Sequence, residues 1–345
     1  MTPIAPHLSA FLREHLPRER NASDHTTDTY AYAFQLLLCF AAKRYGTAPS
    51  NLALEQLDAA TVLEFLQHLE TERGNSARTR NARLAAIKSF VRFVEYREPA
   101  FLDQARRIRA IPVKKTDEAL VHYLDRAELQ ALLDAPSPKS RDGIRDRAML
   151  HVAFAAGLRV AELVGLRLED VCLQSRPSIL VHGKGRRERI LPLWKETATA
   201  IRNWLELRGN TTVPQLFTSA RGEPLTRSGF EYILGKHVRT ATLVCPSLAT
   251  KHVSPHVLRH TCAMHTLQAT HDVRKVALWL GHASVQTTEI YLRADPSEKL
   301  AVLGAMTPPT LRKGRFTVPD QLLAMLQRPA RESSVMRSAG ETKSA

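Results

Sequence analysis

The sequence predicts a mainly α-helical protein with one small β-sheet, an α+β fold, divided into two domains. Apolar residues recur every three or four positions over most of the chain, which is the period of an amphipathic helix. Residues 178–193 instead contain two Ile, Leu and Val-rich runs around a Gly-Lys-Gly turn, which predicts a β-hairpin. The length of 345 residues exceeds that of an ordinary single domain and favours two.

Helical periodicity runs through the first hundred residues. In NSARTRNARLAAIKSFVRFVEYRE (75–98) the apolar residues that share one helix face are Leu84, Ile87, Val91 and Val94. Two earlier segments, TTDTYAYAFQLLLCFAAKRYG and DAATVLEFLQHLETERG, have the same period and end at a glycine, which suits a helix C-cap. We therefore predict a helical bundle over residues 1–110.

The chain is strongly basic. Lys and Arg number 49 against 34 Asp and Glu, which gives a formal net charge of +15 at pH 7. This excess favours nucleic acid as a partner, because the chain has no apolar run of membrane-span length and its first residues lack an apolar signal-peptide core. A basic protein without such a partner remains an alternative. The four cysteines form no C-x-x-C pair, so we expect reduced thiols and a cytoplasmic location.

Basic side chains of residues 75–98 fall largely off the apolar face. A face of this kind is an ordinary solvated surface in many proteins, and it also suits a helix that follows phosphates. The pattern alone leaves both interpretations open. The predicted DNA-binding residues of this helix are Arg78, Arg80, Arg83 and Lys88.

The periodicity stops in IPVKKTDEALVHY, where we place an interdomain linker over residues 111–122. A new helix is predicted from Asp125, whose carboxylate can cap backbone amides while Glu128 completes a capping box. The second domain is predicted over residues 123–306. Residues 307–345 are expected to form a partly disordered tail, with one short amphipathic helix in VPDQLLAMLQ.

The second domain contains a histidine-rich stretch, HVLRHTCAMH (256–265), that fits three kinds of structure: a zinc site, a helix face, or one wall of a phosphate site. In SPHVLRH, Ser254 suits an N-cap, so His256 and Arg259 are predicted to share a face near a helix N-terminus, where an anion is favoured. Zinc needs four converging ligands, and neither H-E-x-x-H nor paired C-x-x-C spacing is present. We therefore predict no metal site, and expect His260, Cys262 and His265 to pack or cap around the pair.

Two further stretches complete the candidate site. DRAMLHVAFAAGLRVAELVGLRL predicts two helices broken at Gly157. WLGHASVQTTEIY predicts a helix that ends at Gly281, an exposed His282 in the turn, and a second helix from Ser284 that carries Tyr291 two turns later.

Four motifs in this order, GLRVAEL, GKGRRER, HVLRH and LGHASVQTTEIY, resemble the tyrosine recombinase (phage integrase) family, most closely its Xer-like bacterial members. The resemblance covers roughly residues 8 to 305 and implies a helical, SAM-like core-binding domain followed by a catalytic domain. The catalytic set that it implies is Arg159, Lys184, His256, Arg259, His282 and the nucleophile Tyr291, with Glu162 supporting the first arginine.

These residue types suit phosphoryl transfer. Arg159 and Arg259 are permanently charged forks that can hold the non-bridging oxygens of a phosphodiester. A tyrosine nucleophile, with an ordinary pKa near 10, needs a cationic surrounding and a proton acceptor, for which His256 is the candidate. Lys184 is placed on a glycine-flanked turn from which it can protonate a leaving 5′ oxygen, and His282 is expected to donate a hydrogen bond to the phosphate.

The expected function is site-specific DNA recombination through a 3′-phosphotyrosyl intermediate, without metal, ATP or another cofactor, for integration, excision or transposition of a mobile element. Xer-type dimer resolution remains an alternative. The intact motif set argues against a catalytically silent DNA-binding regulator, and the two-domain length argues against a type IB topoisomerase.

The expected partners are double-stranded DNA and other copies of the chain, and no membrane. By resemblance the working unit is a tetramer on two DNA sites, with the segment PSEKLAVLGAM (296–306) docking on a neighbouring subunit. Accessory partner recombinases are an alternative to a tetramer of this chain alone. Arg186 and Arg187 in the hairpin turn complete the predicted DNA-binding set.

Overall fold

The computed structural model describes residues 1–117, 120–183, 187–209 and 212–295. The chain divides into two compact units, with the boundary between residues 119 and 120. Lys184 and Arg186, the segment 296–306 and the tail from 307 lie outside the described residues. The domain and linker bounds given above remain predictions.

The first unit consists of helices and their connections. They are α1 (Ile4–Ala10), which continues into a π-helical segment (Phe11–Glu19), α2 (Asp24–Tyr45), α3 (Ala59–Thr71), α4 (Ala77–Glu95) and α5 (Leu102–Ala110). The side chains of Ser23, Asp58 and Ser76 cap the first turns of α2, α3 and α4. Gly46 ends α2 in the left-handed conformation, as predicted, whereas α3 ends before its glycine.

The core of the first unit contains the predicted apolar face of α4. Leu84, Ile87, Val91 and Val94 are all buried. They belong to one cluster that also holds Phe11 and Phe34, whose rings meet edge to face. Burial of each such side chain stabilises the fold by about 1.5–3 kcal/mol. The sequence-based bundle is confirmed here.

The second unit is helical with one small sheet. Its helices are α6 (Arg126–Asp134), α7 (Arg141–Ala155), α8 (Val160–Gly165), α9 (Lys195–Arg208), α10 (Arg227–Thr242), α11 (Pro255–Thr270), α12 (Val273–Leu280) and α13 (Glu289–Ala294). The capping box of Asp125 and Glu128 at the start of α6 is confirmed. Helix α7 lies inside the unit, because nearly every residue from Ala148 onward is buried.

The sheet has three antiparallel strands in the order β1-β2-β3: β1 (Val171–Cys172), β2 (Ser178–His182) and β3 (Glu188–Pro192). The predicted hairpin is confirmed as β2 and β3, and Gly183 donates its amide to the Arg187 carbonyl at the base of the turn, at 2.7 Å. Alternate residues Ile179 and Val181 point into the core. The sequence does not predict strand β1, because its two residues are too few to show an alternation of apolar and polar side chains.

Two further properties concern the described residues. None of the helices in those ranges combines the length and the apolar character that crossing a membrane requires. All four cysteines lie in those ranges and are unpaired, as the sequence predicts.

Candidate active site

Helix α11 holds the buried arginine of the candidate site. Ser254 accepts the Val257 amide and Pro255 is the first helical residue, as predicted. One turn on, Arg259 is only 5% exposed and donates to the carbonyls of Gly157 and Leu280. Burial, together with the charge of Arg159, lowers the pKa of Arg259 to about 10, so the guanidinium stays protonated at neutral pH.

The turn between α7 and α8 brings a carbonyl to this arginine. Gly157 has a φ of +55°, and a Cβ there would lie 2.7 Å from Leu280 Cδ2 and 3.0 Å from Cys262 Sγ. Only glycine combines this backbone conformation with so close an approach to α11 and α12. The predicted break at Gly157 therefore also positions Arg259.

A buried carboxylate holds two arginines at the start of α8. Glu162 Oε1 accepts from Arg159 Nη1 at 2.9 Å, and Glu162 Oε2 accepts the Arg159 amide at 3.0 Å. The same Oε2 accepts from Arg189 Nη2 at 2.9 Å. Burial works to raise the pKa of Glu162, but the hydrogen bond and charge of Arg189 and the bonds from Arg159 outweigh it and hold the pKa below its ordinary range. Glu162 is thus a charged carboxylate that orients both arginines.

The turn after α12 carries the second predicted histidine. Gly281 ends the helix in the left-handed conformation, as predicted. His282 is half-buried rather than exposed, because its Nδ1 lies 2.7 Å from the Oγ1 of the buried Thr288. Burial, with the charges of Arg259 and Arg159, lowers the pKa of His282 to about 4, so the ring is neutral at neutral pH.

The structure places Tyr291 in α13, preceded by a short 3-10 turn (Val285–Thr287) instead of one continuous helix from Ser284. The tyrosine is 1% exposed. Burial raises its pKa to about 12, although the charge of Arg259 acts in the opposite direction. Its proton therefore stays on the hydroxyl at neutral pH unless an acceptor takes it.

The group that contacts this hydroxyl differs from the sequence expectation. His260 Nδ1, and not a nitrogen of His256, lies 2.9 Å from Tyr291 Oη. His256 is exposed, and its ring centroid lies 6.3 Å from that of His260. The two histidines are one helical turn apart and share a face, but Tyr291 meets the second of them.

A cavity of about 710 Å³ connects several of these groups. Arg159, Arg189 and His282 line it, together with Gly183 and Arg187 on either side of the undescribed residues 184–186. Three arginines around one opening create a site that suits an anion such as a phosphate. In the described part of the chain, no group of three or more His, Cys, Asp or Glu side chains converges as metal ligands would.

The predicted DNA-binding residues of α4 have different surroundings. Arg78 is exposed, but Arg80 is only 4% exposed and donates to the Pro112 carbonyl. The guanidinium of Arg80 therefore holds the chain after α5, and DNA binding by Arg80 stays a prediction. Lys88 is half-buried and donates to the Ile111 carbonyl, so its ammonium also holds the chain after α5.

Two other predicted basic residues are accessible to different extents. Arg83 is half-buried, donates to the Thr29 carbonyl at 3.2 Å and lies over the Tyr32 ring. Arg187 is exposed at the base of the hairpin turn. The polar face of α4 thus serves partly to fix neighbouring backbone.

Sequence reasoning missed two residues of the site. Arg189 lies two residues before the buried Leu191 in β3, so both side chains lie on the same face of the sheet. This alternation indicates an inward-facing arginine. His260 lies four residues after His256 and therefore on the same helix face, but nothing in the sequence showed which of the two Tyr291 would meet.

Comparison with known families places this chain in a DNA strand-exchange class of enzyme. Residues 122–298 match the model of the phage integrase family, and residues 8–98 match that of the phage integrase N-terminal SAM-like domain. The chain therefore belongs to the phage integrase family, the tyrosine recombinases.

Individual relatives cover nearly the whole chain. It is 43% identical over 325 residues to the putative integrase/recombinase y4rC of Sinorhizobium fredii, covering 94% of this chain and 97% of the relative. It is 34% identical over 324 residues to the tyrosine recombinase XerC of Pelobacter propionicus, covering 93% and 100%. A XerH site-specific recombinase bound to palindromic difH substrate, in a post-cleavage complex, has the same fold: the TM-score is 0.66 at 22% identity over 86% of this chain and 84% of that chain.

Proposed function

We propose that this chain is a site-specific DNA recombinase that cuts and rejoins DNA through a 3′-phosphotyrosyl intermediate. The observation that carries the proposal is the placement of Tyr291 in the electrostatic field of Arg259, beside the pair of Arg159 and Glu162. A phenol in such a field is suited to attack a phosphodiester.

In the proposed mechanism the arginines stabilise the charge that develops on the phosphate. Arg159 and Arg259 hold the non-bridging oxygens, and His282 donates a hydrogen bond to the phosphate. Tyr291 Oη bonds to phosphorus and its proton passes to a histidine of α11, which the sequence predicts to be His256, while the bond to the 5′ oxygen breaks. Lys184 supplies the proton that the leaving oxygen needs. The freed 5′ hydroxyl of a partner strand then attacks the phosphotyrosyl bond and restores the tyrosine.

Metal and ATP independence follow from the same chemistry. The phosphotyrosyl bond retains the energy of the cleaved phosphodiester, so rejoining needs no nucleotide. Two fixed guanidinium groups supply the positive charge that a metal ion supplies in other phosphoryl-transfer sites.

The proposed biological role is integration, excision or transposition of a mobile element. Its support is the higher identity to a relative named integrase/recombinase, 43%, than to one named XerC, 34%. Dimer resolution is the second candidate, because the XerC relative aligns over its whole length.

The proposed partners are duplex DNA and further copies of the chain, in a tetramer on two sites. We assign core-site DNA binding to residues 1–110, catalysis to residues 123–306, and DNA contacts to the exposed Arg78 and Arg187. A solved structure with the same fold is a recombinase on its DNA substrate, which supports the DNA assignment.

The experiment uses DNA from the protein's own genomic surroundings, incubated with the full chain in EDTA without nucleotide and denatured in SDS. The wild type is expected to leave a covalent adduct that Tyr291→Phe abolishes. Tyr232→Phe, at a surface tyrosine of the same unit that is 71% exposed, is the matched control and should form the adduct normally. Clear DNA binding without an adduct, or an adduct only when a divalent metal is present, would contradict the proposal.

A further inference from the structure

We propose that His260 takes the proton of Tyr291 as the tyrosine attacks the scissile phosphate. The inference rests on the proposed function and adds a catalytic residue to it, in the place where the sequence suggested His256.

The geometry supports a direct transfer. His260 Nδ1 lies 2.9 Å from Tyr291 Oη, within the range of an O–H···N hydrogen bond. The two rings meet edge to face with centroids 5.6 Å apart. His256 is exposed on the same helix, and no hydrogen bond joins it to Tyr291 among the described residues. Proton transfer through His260 thus needs no rearrangement of α11 against α13.

The charge state of His260 suits an acceptor. Burial lowers the pKa of His260 to about 4, and the charges of His256 and Arg259 on α11 act in the same direction. The other titratable groups that face it are Tyr291 on α13 and His282 after α12. At neutral pH the imidazole is therefore neutral, and the tautomer with its proton on Nε2 presents a lone pair on Nδ1 to the hydroxyl.

In the proposed step Tyr291 Oη forms a bond to phosphorus, its proton passes to His260 Nδ1, and the bond from phosphorus to the 5′ oxygen breaks. A phenol hydroxyl becomes strongly acidic as its oxygen bonds to phosphorus, so a correctly placed acceptor suffices even if it is a weak base beforehand. The phosphate charge offsets the new imidazolium beside Arg259. On rejoining, the imidazolium returns the proton to the leaving tyrosine.

A substrate with sulfur in place of the bridging 5′ oxygen isolates this step. A thiolate leaves without needing a proton, so the rate of adduct formation reports activation of Tyr291 independently of Lys184. The decisive variant is His260→Asn, whose amide occupies the position of Nδ1 and keeps a hydrogen bond but cannot accept a proton. His265→Asn is the matched control, because His265 lies on the same helix and bonds the Leu124 carbonyl instead.

The expected result is a loss of about 100-fold in the rate of adduct formation by His260→Asn, with unchanged DNA binding. His265→Asn should react at the wild-type rate. The rate of His260→Asn should also rise steadily with pH, because hydroxide replaces the lost acceptor, whereas the wild-type rate should level off. In His260→Ala, added imidazole should restore part of the rate, which tests the proposal even if the asparagine variant is unstable.

Two results would overturn this assignment. A His260→Asn rate equal to or above that of the wild type would show that the contact merely restrains the tyrosine. Failure of imidazole to restore any rate in a folded His260→Ala would exclude proton transfer. A wild type that forms no adduct with either substrate would overturn the proposed function itself, so the two failures are distinguishable.

Discussion

Glu162 determines the electrostatics of the site at the scale of single residues. It is a 5% exposed carboxylate between Arg159, which lines the cavity, and Arg189, which is 12% exposed. Removing this carboxylate leaves Arg189 as an unpaired buried charge, which costs more than the pair itself contributes, while the 36% exposed Arg159 is partly compensated by water. The carboxylate therefore acts as a positioning group for both arginines.

Glu162→Gln should lower the free energy of unfolding at neutral pH by roughly 3 kcal/mol. Because the pKa of Glu162 in the folded chain lies below its ordinary value of 4.5, its contribution is present above that value and is lost as the pH falls through the folded pKa. The deficit of the variant should therefore shrink in acid. Urea unfolding of the wild type and of the variant, at neutral pH and at several acidic pH values, measures this difference in stability.

The matched control is Glu169→Gln, a surface carboxylate that pairs with the exposed Arg167, which should change stability little. A deficit for Glu162→Gln that stayed constant down to strongly acidic pH would show that lost packing, and not lost charge, is responsible.

At this scale the sequence predicted which residue types the site needs, but not all of their contacts. Motif order suggested Arg159, Glu162, Arg259 and Tyr291, and the structure brings them into one electrostatic environment. The contact of His260 with Tyr291 spans 31 positions and depends on how α11 packs against α13. Helical periodicity places both histidines on one face but cannot choose between them.

At the scale of elements, the glycine turns determine how helices approach one another. The turn at Gly157 packs against both α11 and α12, and its carbonyl accepts from Arg259. A side chain at this position would push the turn away from Leu280, and the guanidinium would lose a partner while remaining buried.

Gly157→Ala should therefore destabilise the second unit by about 2–4 kcal/mol, the sum of left-handed backbone strain and the steric overlap with Leu280. Gly46→Ala, in the first unit, is the matched control: Gly46 is also left-handed, with a φ of +62°, but nothing lies within 4 Å of the added Cβ, so the change should cost that unit only the backbone strain of about 1 kcal/mol. Thermal unfolding of the two variants makes the comparison. Equal losses would contradict the close approach that we describe.

Long periodic elements were predictable and short ones were not. The face of α4, the cap of α11 and the β2-β3 hairpin all follow from period and capping signals. The expected continuous helix after Ser284 is divided instead into a 3-10 turn and α13. The physical reason is tertiary: Thr288 is buried at the junction, and its hydroxyl bonds His282 rather than facing solvent.

At the scale of the whole molecule, each of the two units has its own apolar core, one around Phe11 and Phe34 and the other around Met149 and Trp204. A unit that buries its own core can fold by itself. The division was visible in the sequence as a change in periodicity near residue 111, because loss of an apolar face is a local signal.

Fragments 1–119 and 120–345 should each unfold cooperatively when expressed separately, with circular dichroism spectra that add up to that of the intact chain. Urea titration followed by circular dichroism measures the unfolding of each fragment. Tryptophan fluorescence reports unfolding of the second unit, which contains the buried Trp204. Two unstructured fragments from a chain that unfolds in one transition would contradict independent cores.

The most direct test of the central claim is to identify the amino acid that carries the DNA. The covalent adduct formed in EDTA is digested with trypsin and nuclease, and the modified peptide is sequenced by mass spectrometry. Residues 276–293 form a tryptic peptide with Tyr291 as its one tyrosine. We predict a nucleotide joined through its 3′ phosphate to Tyr291, whereas a nucleotide on another residue, or one joined through a 5′ phosphate, would contradict the mechanism.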